Sequence, residues 1–328
     1  MISLEKIFPK DQTVYMKIGK HCKKMVFAIF RTLFLVAVGY IILFPLFYMV
    51  SNAFKPTDQI TDPTVVWFPK SLTLENFKIA TEAMHYGSAL VSTLTVDIVS
   101  AVIQVFTCAI VAYGFARFEF KEKNFVFGLV ILTMILPQQA ILVPLYSNYT
   151  NLDFFYILHV LRKVFPMIPK INLINSPLTF YLPALLGAGL RSGFFIFIYR
   201  QFFKGLPKEL EEAAWIDGAG PFKTFVKIVL PSSGVAVLTV FIFSIIWYWN
   251  EYMLSSLFFN QNQPLAVALS QIRAGLKLTT GVAATSNPVL IRNWLMAGSL
   301  AFIAPVLGMY LIVQKFFIQS IERVGIVG

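Results

Sequence analysis

Charge is scarce in this chain. Of its 328 residues only 13% are charged, with 16 acidic side chains against 27 Lys and Arg, while 57% are hydrophobic. A soluble domain of this size has no way to hide that much apolar surface. Thiols and imidazoles are scarcer still, at two cysteines and three histidines. Cys22 belongs to a basic N-terminal segment and Cys108 to an apolar run, which leaves no disulfide to expect. His21, His85 and His159 lie on separate segments without metal-ligand spacing, so no metal is expected. A Gly-x-x-x-x-Gly-Lys-Ser/Thr phosphate loop and a Gly-x-Ser-x-Gly nucleophile turn are both missing. Neither a cofactor nor enzyme chemistry is expected of this chain.

Long apolar runs are what it has instead, and the mean hydropathy is +0.72. Six windows, 26–50, 87–115, 125–147, 179–202, 235–258 and 294–314, approach or reach the length of helix that crosses roughly 30 Å of hydrocarbon. The pattern predicts an all-α, polytopic protein with six membrane helices. A basic segment at 1–25 leads into an anchor helix at 26–50, then a core at 87–318 carries five helices, and 319–328 forms a tail. The first 24 residues are polar and basic and lack the short apolar region of a signal peptide, so the first span is expected to stay as an anchor. Taking the N-terminus as cytoplasmic, 17 Lys and Arg fall on the cytoplasmic connections and nine on the outer ones, which puts both termini inside. The formal charge of +11 is dispersed among these loops rather than gathered on one domain. Anionic lipid headgroups are therefore its expected counterpart, and nucleic acid is not.

The polar loop at 204–231, between the fourth and fifth windows, is the most informative stretch. Pro207 followed by Glu209, Glu211 and Glu212 puts carboxylates at the start of a short helix, where its dipole favours them. Leu210, Ala213, Ala214 and Asp217 fall at three- and four-residue spacings and are expected to share one face, with two alanines allowing close approach by another protein. Gly218 suits a left-handed helix end, Gly220-Pro221 reopens a second helix, and Pro231 marks entry to the fifth span. The same pattern also suits an amphipathic connector lying on lipid headgroups.

The spacing Glu212-Ala213-Ala214, three residues, Gly218, nine residues, Ile228-x-Leu230-Pro231 resembles the signature of permease subunits of binding-protein-dependent ABC importers. With Asp217-Gly218-Ala219 the run is similar to the carbohydrate-uptake, maltose-type branch. Further matching motifs include Ala112-Tyr113-Gly114-Phe115-Ala116-Arg117, Pro137-Gln138, Arg200-Gln201-Phe202-Phe203 and Trp249-Asn250-Glu251-Tyr252. The resemblance implies a type I ABC importer permease fold in a bacterial inner membrane. It implies a second, different permease, two cytoplasmic ATPase subunits that bind the ATP, and an extracytoplasmic solute-binding protein. On it, Glu212 is a charged contact to an ATPase, Ala213 and Ala214 the close-packing surface, and Gly218 the turn.

Few polar residues lie within the spans. Asp97 and Arg191 both fall near mid-span, where an ionisable group is costly, and are expected either to pair with each other or to meet substrate. Gln138, Gln139, Asn250 and Glu251 are candidates to line a substrate path, since sugar hydroxyls suit such donors and acceptors. Trp247, Tyr248 and Trp249 suit either a sugar face or a membrane interface. Two features depart from the family pattern. Residues 153–177 make a longer connection, expected to lie amphipathically in the outer interface or to touch the binding protein, and the chain closes without a Gly-rich Lys-Gly ending. A secondary transporter and a membrane scaffold without ATPase coupling are the other readings that six apolar spans and one polar loop permit.

Overall fold

The computed structural model describes residues 9–325, apart from 61, 63, 66, 153–159, 162, 164, 166–169 and 285. Every regular element among them is helical. Helix α1 (Pro9–Ala53) runs through the end of the basic segment and the anchor without a break, Pro45 included. After a loop come α2 (Glu75–Ala83) and the long α3 (Tyr86–Arg117). Helices α4 (Lys123–Ile135) and α5 (Leu142–Thr150) follow, then α6 (Leu178–Leu185) and α7 (Ser192–Gly205). The polar loop folds as α8 (Glu209–Ile216) and α9 (Pro221–Ser232), the latter with a π turn at Phe225–Val229. Helix α10 (Gly234–Trp249) is followed by the short α11 (Met253–Phe258) and α12 (Leu265–Ser270), then α13 (Ile272–Ala284) and α14 (Pro288–Gly325).

Only three of the six expected spans are continuous helices of sufficient length: Lys23–Ala53, Tyr86–Arg117 and Pro288–Lys315. The third is bent by 100° between Ile135 and Gln138. Leu136 precedes Pro137 and is held extended, because the proline ring disfavours the helical conformation of its predecessor. The fourth is split between α6 and α7, where Gly187 and Arg191 both take positive φ. The fifth follows an 80° bend where α9 meets α10, and its helix stops at Asn250 instead of running to 258. Hydropathy windows see composition, not the backbone turns that proline, glycine and left-handed residues impose. Counting each bent pair as one span gives up to five. Of the expected 153–177 connection, 153–159, 162, 164 and 166–169 lie outside the described residues. Its two ends meet where Leu152 N–H donates to Ile171 O (2.9 Å) and Leu173 N–H to Tyr149 O (2.8 Å).

Helix α3 is the axis of the core. Its buried positions include Ser100, Ala101, Gln104, Cys108, Ala109 and Ala112 at three- and four-residue spacings, a stripe of mostly small side chains. Small residues let neighbouring backbones approach closely, which is how helices gain contact where lipid removes the hydrophobic drive between them. Toward the Arg117 end, α3 packs with α7, α9 and α10 around Phe195, Tyr199, Phe203, Phe225 and Val240. Toward its Tyr86 end, the start of α3 joins α2, α12, α13 and α14 around Met84, Leu265, Ile272, Leu276 and Trp294. Asn76 fastens this second cluster to α1, donating from its amide to the carbonyls of Ala53 and Lys55, each at 2.9 Å. The remainder of α1 is nearly bare: in its most apolar window 6% of residues are buried, against 44% for α3. A bare apolar helix of this length belongs in lipid or against another subunit.

The tightest crossing is between α2 and α13. A Cβ on Gly275 would come within 2.0 Å of the Ala83 carbonyl oxygen, a rigid backbone atom. Gly275→Ala should therefore push α13 off α2 at a cost of about 1–3 kcal/mol or more. Thermal loss of the monodisperse peak in fluorescence-detected size exclusion measures this, and an unchanged midpoint would mean that the two helices do not touch. Gly205→Ala, with open space around the new methyl, is the silent control.

Candidate functional site

The end of α3 holds the polar loop by a buried ionic contact. Arg117 Nε pairs with Glu211 Oε1, and both side chains are more than nine-tenths buried. The Tyr113 hydroxyl donates to Glu211 Oε2 at 2.9 Å, so both carboxylate oxygens are satisfied. Arg117 Nη2 also donates to the Leu206 carbonyl at 3.0 Å, which fixes the chain just before α8. Burying a carboxylate is costly unless it is paired and hydrogen-bonded, and Glu211 meets both conditions. Ala214, one turn on from Glu211, is buried on the same side.

The opposite side of α8 is free. Leu210, Glu212, Ala213, Trp215, Ile216 and Asp217 are exposed, and Phe222 at the start of α9 is exposed beside them. The helix stops at Gly218, which takes φ +77°. Gly218 N–H donates to Trp215 O at 3.0 Å and Ala219 N–H to Ala214 O at 2.9 Å, the paired bonds of a Schellman ending. The result is a short helix with acidic and large apolar side chains displayed outward and its inner face locked to α3.

A second group of polar residues gathers at the broken spans. Irregular backbone at membrane depth is tolerated only where protein supplies its hydrogen bonds. Gln104 does so for the α6–α7 break, donating to the Leu190 carbonyl and to Ser192 Oγ at 3.2 Å. Beside it, Arg191 is exposed and lays its guanidinium 4.5 Å from the centre of the Trp247 ring. Glu251 lies within electrostatic reach of Arg191 and accepts from Leu254 N–H at 2.7 Å, while Asn250 is exposed and donates back to Ile246 O at 2.8 Å. Arg191, Trp247, Asn250 and Glu251 thus mark one surface where the fourth and fifth spans are interrupted.

A family model described as binding-protein-dependent transport system inner membrane component matches residues 106–323. The chain belongs to that family. It is 32% identical over 303 residues to a probable ABC transporter permease protein, YurM, of Bacillus subtilis (strain 168), covering 92% of this chain and 87% of that protein. It is 28% identical over 296 residues to the arabinooligosaccharides transport system permease protein AraQ of Halalkalibacterium halodurans, covering 89% and 93%. The trehalose transport system permease protein SugB of Mycobacterium tuberculosis is 26% identical over 303 residues, covering 89% and 94%. Among solved structures, a bacterial ABC transporter involved in the import of the acidic polysaccharide alginate superposes with a TM-score of 0.67 at 19% identity, covering 90% of this chain and 98% of that one. That likeness supports the fold, an ABC importer permease fold built of helices. The resemblance read from the Glu-Ala-Ala spacing to carbohydrate-uptake permeases holds.

Several residues expected from the permease sequence fall elsewhere. Asp97 and Arg191 do not pair: Asp97 is buried within the α3 core and Oδ2 has no hydrogen-bond partner, while Arg191 is exposed on Trp247. The break before α7 turns Arg191 away from the path a continuous helix would have given it. Ala214 does not share an outward face with Leu210, Ala213 and Asp217, because it packs inward with Glu211. Gln138 is partly buried and Gln139 exposed, both in the single 3-10 turn that follows the 100° bend. Pro231 lies in the last turn of α9, with the fifth span starting three residues later at Gly234. Tyr248 and Trp249 are buried, with Trp249 Nε1 donating to Phe302 O at 3.2 Å, and of the three neighbouring aromatics only Trp247 is exposed.

Two functional residues escaped the sequence reading. Glu211 stood among three carboxylates with no sign of which one turns inward. Its partners Tyr113 and Arg117 sat in a recognised motif without an assigned role. Gln104, a lone amide in an apolar helix, was the available signal for the break it caps.

Breaking one side of the Glu211 pair leaves a buried uncompensated charge, so Arg117→Met should destabilise the permease by about 3–5 kcal/mol. Glu211→Gln in the same background should recover a large part of that loss. Both effects are read as thermal midpoints in detergent, together with the rate of proteolytic cleavage at 204–221. Additive losses in the double variant would mean that the two side chains do not interact.

Proposed function

We propose that this permease is one half of the translocation path of an ATP-driven importer for a sugar or oligosaccharide, and that α8 and α9 couple it to a separate ATPase. The observation that carries the coupling reading is the division of α8 into a locked inner face and a displayed outer one. An ATPase seated on Leu210, Glu212, Ala213, Trp215 and Phe222 moves α8. The Glu211–Arg117 contact then carries that motion straight into α3, the helix on which α6, α7 and α10 pack. Family membership and the relatives named for arabinooligosaccharide and trehalose transport support a carbohydrate cargo.

On this reading the assembly comprises this chain, a second and different permease, two cytoplasmic ATPase subunits and an extracytoplasmic solute-binding protein. The ATPases hold the ATP, and this chain holds no nucleotide or other cofactor. Both termini and α8 lie on the cytoplasmic side, with six crossings once the bent pairs and the split α6–α7 pair are each taken as one. Arg191, Trp247, Asn250 and Glu251 face the solute as the two permeases rock between inward- and outward-open states. Gln138 and Gln139 extend that surface at the bend of the third crossing. An aromatic ring beside hydrogen-bonding side chains suits a sugar's apolar face and hydroxyl rim.

Glu212 is exposed and makes no ion pair among the described residues, so its replacement leaves the fold intact. Glu212→Lys should cut transport-coupled ATP hydrolysis by tenfold or more, as roughly 1.4 kcal/mol at a docking contact implies, without changing the amount of inserted permease. Gly218→Val, forced to φ +77°, should do the same by distorting the end of α8. Co-purification of the ATPase with wild type and its loss from Glu212→Lys supports the assignment. Full ATPase retention and normal uptake by both variants would remove it.

A further inference from the structure

At the membrane face opposite α8, a pocket of about 280 Å³ opens between α13 and the first turns of α14. Its position follows from the chain: α14 begins beside α2 and the start of α3, the end of α3 remote from Arg117. Arg273, Ser286 and Arg292 form its polar lining, and Pro288, Ile291, Leu295 and Met296 its apolar one. Neither arginine forms an ion pair among the described residues, whose three pairs are Lys70–Asp62, Arg117–Glu211 and Lys123–Glu119. Arg292 Nε is buried with no hydrogen-bond partner. Beside it stands a third cation, Lys55, buried and donating to the Val65 carbonyl at 2.8 Å. Burial and the Arg292 charge both hold Lys55 below the usual lysine range. The start of α14, the positive end of a 38-residue helix, adds to the same field.

The two arginines of the lining, with Lys55 near Arg292 and the start of α14 beside them, make the pocket net positive, and no carboxylate lines it. The apolar floor selects among anions, because Ile291, Leu295 and Met296 offer no partner to a small hydrated ion but suit a hydrocarbon chain. Further along α14, Leu307, Tyr310, Leu311 and Ile312 are exposed, so an acyl chain reaching down the helix from the pocket meets an open apolar surface. We propose that this pocket binds an anionic phospholipid, its phosphate between Arg273 and Arg292 and an acyl chain along Ile291, Leu295 and Met296. Guanidinium groups suit this task, since each offers two parallel donors to a phosphate. The site lies away from the α8 surface and does not depend on the coupling assignment.

The test uses the full-length chain with its co-purifying subunits in nanodiscs of phosphatidylcholine, titrated with phosphatidylglycerol and read by native mass spectrometry. Wild type should retain one phosphatidylglycerol through delipidation. Arg273→Gln/Arg292→Gln should lower its affinity about twenty-five-fold, from about fivefold per cation at the membrane surface. Arg273→Gln alone removes an exposed side chain and should lower the affinity about fivefold, which keeps the test open if the double variant fails to assemble. Equal phosphatidylglycerol affinity in wild type and Arg273→Gln would overturn the proposal. So would displacement of the lipid by inorganic phosphate alone, which would make the pocket a site for soluble anions.

Discussion

One buried carboxylate holds this subunit's working parts in register. Glu211 is the only point at which the polar loop enters the core with a charge, and Arg117 and Tyr113 meet it there from the last turns of α3. Without that contact α8 would be an amphipathic helix resting against a membrane protein. With it, α8 becomes an extension of α3, and α3 is the helix around which α7 and α10 pack. A hydrophobic contact would bury comparable area, but it would tolerate sliding. An arginine bonded to a carboxylate fixes direction as well as distance.

The second constraint is set by the breaks. A membrane helix satisfies its own backbone, so each interruption at depth needs a donor or acceptor from elsewhere. Gln104 meets that need at the α6–α7 break, where Gly189 also lies so close to the Tyr248 hydroxyl that a Cβ would come within 2.8 Å of it. Fixing the irregular backbone so tightly leaves the neighbouring Arg191, Trp247 and Asn250 exposed, with the half-buried Glu251 beside them. The polar groups of the fourth and fifth spans therefore divide by role, some closing the core and others facing outward.

Much of this was legible in the residues. Apolar length and scarce charge gave the helical membrane class, and the Glu-Ala-Ala spacing gave the family. The left-handed end at Gly218 followed from glycine placed just past a helix. The faces of α8 were not legible, because Leu210, Ala213 and Ala214 all satisfy helical spacing and only the packing of α3 decides which one turns inward. Continuous spans were expected where hydropathy was continuous, yet Pro137, Gly187 and Arg191 interrupt the backbone without altering the average. The Asp97–Arg191 pair failed for the same reason, since depth along a straight helix is a poor guide to position beside a broken one.

The bareness of α1 has a mechanical consequence. Its final turns are fastened to the body through Asn76, the packing of Ala53 and contact with α14, while most of the preceding six or so turns are exposed. Such a helix transmits almost no force along its length. Over most of its length the anchor therefore takes the orientation that its surroundings impose, and it meets the core at one end, through Asn76, Ala53 and α14.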